Sequence, residues 1–234
     1  MAAVKASKSM IRLITEKGAE YLEKTPEEVE FDGERVMAKD GSAAISLKDI
    51  GNRAMANNGK ALEVTESHSS PVSPPPFMVG IAEIEMDKET CDFELVNYVA
   101  VVDCGTPINP ALVRVQTEGG LGQGIGMAMF EDVTRSEKGQ VYENSFMQYK
   151  LPSRVDVGNI RVEFESSYED AGPFGAKSIG EVVINTPLPA VSDAIFNATG
   201  TRFYELPITP EKIAMAVAER KAENEGSVDI IRSI

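Results

Sequence analysis

Phe77-Met-Val-Gly-Ile-Ala-Glu-Ile-Glu-Met86 places Met78, Gly80, Ala82, Ile84 and Met86 at alternate positions, while the intervening set turns acidic at Glu83, Glu85 and Asp87. Successive side chains on a strand point to opposite faces, so this pattern predicts a strand with one buried face. Asp87-Lys-Glu-Thr90 supplies a turn. Cys91–Val102 then returns, nearly all apolar from Leu95 to Val102 apart from Asn97, which suits a more central strand. The pair reads as an antiparallel hairpin.

Upstream of the hairpin, residues 69–76 hold four prolines and three serines, which fit neither a helix nor a central strand and predict an extended connector. Before the connector, residues 1–68 form a small α+β lobe. Met10, Ile11, Ile14, Tyr21 and Leu22 share one helical face, Glu30–Ala38 turns at Asp32-Gly33 as a hairpin, and Ser46 with Asp49 predicts a capping box on a helix ending at Asn58-Gly59. Residues 77–234 make a larger domain. In it, Asn109 is the expected cap and Pro110 the first residue of a helix, Val141–Tyr149 and Ile160–Phe164 are expected strands, and Pro189–Ala198 is a helix closed by Gly200. A last helix starts at Thr209-Pro210 and runs to about Asn224. The fold class is α+β, with mixed sheets and peripheral helices.

Among 234 residues, 23 Lys and Arg stand against 37 Asp and Glu, a net charge of −14. So acidic a chain repels phosphate backbones and anionic membrane, which excludes nucleic acid and membrane surfaces as expected partners. Two cysteines, Cys91 and Cys104, and the single His68 leave no Cys-rich cluster, no His-ligated metal and no Ser–His–Asp hydrolase. No metal ligand is assigned. No signal-peptide core and no run near the ~18 apolar residues of a membrane span are visible, so the expectation is a soluble, cytoplasmic protein. Any chemistry falls to a carboxylate or a cofactor.

Two stretches stand out. Glu118-Gly-Gly-Leu-Gly-Gln-Gly-Ile-Gly126 puts five glycines inside a helix, each costing ~0.5–1 kcal/mol relative to Ala. They permit close approach either of another helix or of a ligand, and Gln123 among them can both donate and accept. The dinucleotide fingerprint fails, because Ile125 or Met127 falls where its third glycine belongs. Tyr168-Glu-Asp-Ala-Gly-Pro-Phe-Gly-Ala-Lys-Ser-Ile-Gly-Glu181 is a loop entering a helix, and with no ligand of its own on it Gly172–Gly180 is expected to be the most mobile internal segment of the isolated chain. Glu181 is either an N-terminal helix carboxylate favoured by the macrodipole or a general base at a loop–helix junction.

Five motifs occur in order: Asp103-Cys-Gly-Thr-Pro-Ile-Asn-Pro110, Gln116-Thr-Glu-Gly-Gly-Leu-Gly-Gln-Gly-Ile-Gly126, Tyr149-Lys-Leu-Pro152, Gly172-Pro-Phe-Gly-Ala-Lys-Ser-Ile-Gly-Glu181 and Leu206-Pro-Ile-Thr-Pro210. Together they resemble the C-terminal part of the molybdopterin-binding subunit of the xanthine dehydrogenase / aldehyde oxidoreductase family. The resemblance implies that Glu181 is the general base in hydroxylation of an aldehyde or N-heterocycle with water as oxygen source. It implies further that residues 77–234 face a molybdenum-molybdopterin cofactor, with Gln123, Gly124, Lys177, Ser178, Ile179 and Gly180 against it. The cofactor is expected as the cytosine dinucleotide, with 2Fe-2S and FAD on partner subunits that carry the electrons away. The remainder of the molybdenum subunit, iron–sulfur and flavin subunits and a small-molecule substrate are the implied partners. Two positions depart from the family pattern: Met78-Val-Gly80 stands where His is frequent, and Ser178-Ile179 where Gly-Val is common. The competing reading is a noncatalytic cofactor-binding or assembly module of the same fold.

Overall fold

A computed structural model describes residues 1–165 and 167–232. The chain divides into two compact units, Met1–Pro71 and Val72–Ile234, and residues 61–76 carry neither helix nor strand.

In the first unit, helix α1 (Ala2–Tyr21) packs on an antiparallel sheet of β1 (Val29–Phe31), β2 (Arg35–Ala38) and β3 (Ala44–Ser46), followed by α2 (Leu47–Asn58). Ile14, Val29, Val36, Ile45 and Ile50 form its core. Gly18 lets α1 approach the sheet, since a Cβ there would lie 2.6 Å from Val36 Cβ. The predicted hairpin gains a third strand, because Asp40 Oδ1 accepts from both the backbone N–H and the hydroxyl of Ser42 and turns the chain back. Ile11 is solvent-exposed rather than part of the helix's buried face. At the start of α2 the Ser46 hydroxyl accepts from Asp49 N–H at 3.1 Å and donates to the Asp49 carboxylate at 2.7 Å, so the reciprocal half of the expected capping box is replaced by a side-chain pair.

In the second unit, β4 (Phe77–Met86) and β5 (Phe93–Asp103) pair antiparallel, and β6 (Asn159–Phe164) joins the far side of β5 in parallel. Helices α3 (Pro110–Met129), α4 (Val182–Asn185), α5 (Pro187–Thr199) and α6 (Pro210–Arg232) complete it. One face of the mixed sheet joins Leu121, Ile125, Val191, Ile195, Ile208 and Ile213 in one core, centred on the fully buried Tyr98. The phenol of Tyr98 donates to Thr186 Oγ1 at 2.9 Å, satisfying a polar group that burial would otherwise penalise. The acidic outward face expected of β4 is found only at its second half, since Phe77, Val79 and Ile81 are also outward and exposed.

The strand expected over Val141–Tyr149 is absent. Residues 131–158 form turns and one isolated bridge, Arg135 with Val141, and leave Phe146 and Met147 at 86% and 92% exposure, so no buried face exists to stabilise a strand there. Helix α5 begins two residues earlier than expected, because Pro187 and Pro189 both sit in its first turn, where the missing N–H costs no hydrogen bond.

Gly80 faces the Tyr98–Thr186 bond so closely that a Cβ would come 2.0 Å from the Tyr98 oxygen. Gly80→Ala should therefore lower unfolding free energy by about 1–3 kcal/mol, read as a reduced urea midpoint with unchanged slope.

Candidate functional site

Helix α3 begins where Asn109 Oδ1 accepts from Leu112 N–H at 3.1 Å and Pro110 takes the first turn. Its glycines divide into two sets. A Cβ at Gly120 would meet Val183 Cγ2 at 2.2 Å, one at Gly124 would meet Pro187 Cγ at 2.7 Å and the Ile184 carbonyl at 2.8 Å, and one at Gly126 would meet the Glu131 carboxylate at 2.1 Å. These three close α3 onto its neighbours. Gly119 and Gly122 have nothing within 4 Å of an added Cβ, so no contact within the chain requires glycine there.

Gln116, Gly119 and Gln123 follow one another at three- and four-residue steps and so share one face of α3. With Gly180 and Glu181 they line a cleft of about 460 Å³, to which Val115, Val183 and Ile184 add apolar wall. The Gln116 amide donates to the Gly180 carbonyl at 3.2 Å. Gln123 is exposed, and among the described residues its amide makes no hydrogen bond. Glu181 is exposed, lies in αR backbone geometry (φ −115°, ψ −29°) just before α4, and its side chain makes no cap hydrogen bond. Glu181 is the N-cap residue of α4, its backbone carbonyl accepting from Ile184 N–H at 3.2 Å, while its carboxylate caps no backbone amide. The carboxylate is open to a ligand in the cleft.

The segment leading to Glu181 is tied down rather than loose. Thr106 N–H donates to the Gly175 carbonyl and Lys177 N–H to the Cys104 carbonyl, both at 2.7 Å, forming a bridge between Gly105 and Ala176. Lys177 Nζ donates to Asp103 Oδ2 at 2.6 Å, while Asp103 Oδ1 accepts from Ser167 Oγ at 2.6 Å and Gly105 N–H at 3.0 Å. The Lys177 ammonium, the Ser167 hydroxyl and the Gly105 amide together hold the Asp103 carboxyl down at about 2, below its ordinary 3.8. Cys104 beside it is buried, and burial pushes its thiol up, away from thiolate chemistry.

The cleft therefore unites Gln123, Gly180 and Glu181. Gly124 packs against α4 and α5 and the Lys177 ammonium pairs with Asp103, so neither lines the cleft. Ile179 packs against the core, and Ser178 is exposed beside the cleft without lining it. Gln116 and Gly119 were not singled out from sequence, although their helical spacing to Gln123 is the signal that identifies them. The glycine floor at Gly119, which a Cβ would fill, and the open amide of Gln123 suit a flat polar cofactor approaching α3 closely.

The family model of the molybdopterin cofactor-binding domain matches residues 1–158, about two thirds of the chain. The chain belongs to the molybdopterin cofactor-binding domain family. The match includes α3 with Gln123 and ends before Glu181. Relatives of this molybdopterin-binding domain include the xanthine dehydrogenase molybdenum-binding subunit of Escherichia coli, 30% identical over 215 residues, covering 91% of the chain and 27% of the relative. A second is the 6-hydroxypseudooxynicotine dehydrogenase complex subunit gamma of Paenarthrobacter nicotinovorans, 31% identical over 221 residues, covering 91% and 28%. Among solved structures, CO dehydrogenase from Oligotropha carboxidovorans shares the fold with a TM-score of 0.65 at 23% identity, over 94% of this chain and 28% of that one. Aldehyde oxidoreductase from Desulfovibrio gigas aligns with a TM-score of 0.56 at 29% identity, over 61% of this chain and 15% of that one. The chain thus spans less than a third of the length of the relatives it matches. Among the described residues, no helix is long and apolar enough to cross a membrane and no group of His, Cys, Asp and Glu could hold a metal ion.

Two measurements check this geometry. Gly119→Ala and Gly122→Ala should each stabilise the chain by about 0.5–1 kcal/mol through helix propensity, whereas Gly120→Ala and Gly124→Ala should destabilise it by about 1–3 kcal/mol through overpacking; chemical denaturation separates the pairs. Because the folded chain holds Asp103 ionised more strongly than the unfolded chain does, the unfolded chain binds more protons between pH 3.8 and about 2. Asp103's contribution is present above that window and lost as pH falls through it, so the stability gap between wild type and Asp103→Asn should narrow on acidification from pH 5 toward 2.

Proposed function

We propose that this molybdopterin-binding domain forms part of a molybdenum hydroxylase of the xanthine dehydrogenase and aldehyde oxidase type, acting on an aldehyde or an N-heterocycle with water as oxygen source. The observation that carries the reading is the meeting in one cleft of an open amide (Gln123), a bare glycine floor (Gly119) and a carboxylate with no cap contact (Glu181). When bound, molybdenum-molybdopterin supplies the two-electron chemistry. The residues of the chain do the rest. Gln123 would offer the pterin a donor and an acceptor, and Gly119 would leave it room beside the α3 backbone. Ser178, Ile179 and Gly180 would hold it through their backbone, Gly180 at the cleft itself. Glu181 accepts the proton of the attacking oxygen as general base, and its exposed carboxylate leaves a path for that proton to water.

The same reading places the cofactor as its cytosine dinucleotide, the remainder of the molybdenum subunit on a separate segment or chain, 2Fe-2S and FAD on partner subunits, and the assembly in the cytoplasm. It is supported by motif order, by the family to which the domain belongs and by relatives whose names describe subunits of larger complexes.

Glu181→Gln in the assembled holoenzyme tests it. Turnover should fall by about 10²–10⁴-fold, the usual worth of a positioned base, with molybdenum and pterin content unchanged. Full activity in that variant overturns the assignment, and a cofactor-loaded assembly inactive on aldehydes and N-heterocycles alike favours the noncatalytic module instead.

A further inference from the structure

Ser178–Glu181 is a four-residue span between two anchors. Upstream, Lys177 is only 10% exposed at its side chain and gives its ammonium to Asp103, itself 21% exposed, at 2.6 Å. The ammonium also lies 5.4 Å from the centre of the Phe77 ring. Asp103 ends β5, and its other oxygen is occupied by Ser167 and Gly105, so the pair fastens the segment to the sheet through a carboxylate that is itself held at three points. Covering an ammonium to this degree carries a desolvation cost that a solvated surface lysine avoids, and the carboxylate partner offsets it. Downstream, the Gln116 amide on α3 holds the Gly180 carbonyl, the peptide oxygen immediately before Glu181.

Ile179 on the core and the buried Val183 of α4 hold the backbone of this span in part, so the two hydrogen-bonded anchors set what those contacts leave free, and a misplacement of ~1 Å is enough to lose about 10²-fold in rate. We infer that Lys177 and Gln116 are positioning residues that fix Ser178–Glu181 from its two ends, to β5 and to α3, and thereby set the Glu181 carboxylate over the cleft. The inference rests on the reading of Glu181 as base. Lys177 acts through Asp103 and not as a ligand of the cofactor.

The test uses Lys177→Met, Lys177→Arg and Gln116→Leu in the full 234-residue chain, read by backbone NMR order parameters. In the wild type and in Lys177→Arg, residues 178–181 should stay near the rigid value of ~0.85, whereas Lys177→Met and Gln116→Leu should bring them below ~0.6. Tyr98, Ala100 and Val102 in β5 should not change. Order parameters that stay high at 178–181 in both variants, or that fall equally throughout the unit, overturn the inference. In the assembled enzyme, Lys177→Met and Gln116→Leu should lower kcat by about 10²-fold, with KM and molybdenum content within about twofold of wild type, and Lys177→Arg should recover most of the loss. Loss of molybdopterin in both Lys177 variants without any change in order would make Lys177 a direct ligand and overturn its positioning role. Unchanged kcat in an enzyme that Glu181→Gln inactivates would overturn positioning while leaving the base intact. If Glu181→Gln is itself fully active, the base reading fails separately, and the order parameters still decide whether the anchors exist.

Discussion

Everything in the cleft depends on how closely α3 approaches the Val183–Pro187 segment. Gly120 and Gly124 have no Cβ to hold the two apart, so Val183 and Pro187 seat directly against the α3 backbone. That contact sets the height of α4, and with it the place at which Glu181 enters beside Gln116 and Gln123. A single methyl at either glycine would have to be accommodated by moving a buried side chain or a backbone carbonyl, neither of which yields easily in a core packed to crystal density. The same helix thus uses some glycines to bring its neighbours in and others to leave room for something that is not protein.

The second dependency is electrostatic. Asp103 gathers a lysine, a serine and a backbone amide from three different stretches, and the bridge from Gly105 to Ala176 runs alongside it. A half-buried carboxylate with three donors is far better satisfied than one with a single partner, so the cluster holds as a unit where a lone surface ion pair would contribute little. Gly105, at φ +65° and with the Gly175 carbonyl 2.3 Å from any Cβ, is where this crossing needs glycine.

What could be read from sequence follows from the range of the forces involved. Asn109 and Pro110 at the head of α3, Ser46 at α2 and Gly200 after α5 are local caps, decided within one turn, and each was legible. So was the β4–β5 hairpin, whose alternation and turn are contiguous. The strand expected at Val141–Tyr149 has β-forming residues but no surface to pack on, and only tertiary structure supplies or withholds such a surface. The cleft shows the same split. Gln123 and Glu181 stood out by composition, whereas Gln116 becomes meaningful only when the Gly180 carbonyl, 64 residues away, arrives within reach. Family resemblance alone names Gly124 and Lys177 as cofactor contacts, and no sequence feature shows that Pro187 packs on the one and Asp103 takes the ammonium of the other.

The parallel pairing of β6 with β5 carries a kinetic meaning. β4 and β5 can zip from the Asp87 turn with little loop to close, but β6 reaches β5 only after residues 104–158, which contain all of α3, have been gathered into a loop. Closing so long a loop costs entropy before any contact rewards it, and contacts of that sequence separation slow folding. Until Val162 lies beside Ala100, β5 has an open edge and Tyr98 lacks one of its walls. The half-assembled hairpin then exposes a template for strand addition by another chain, and the charge of −14 repels that second copy while the slow strand comes home.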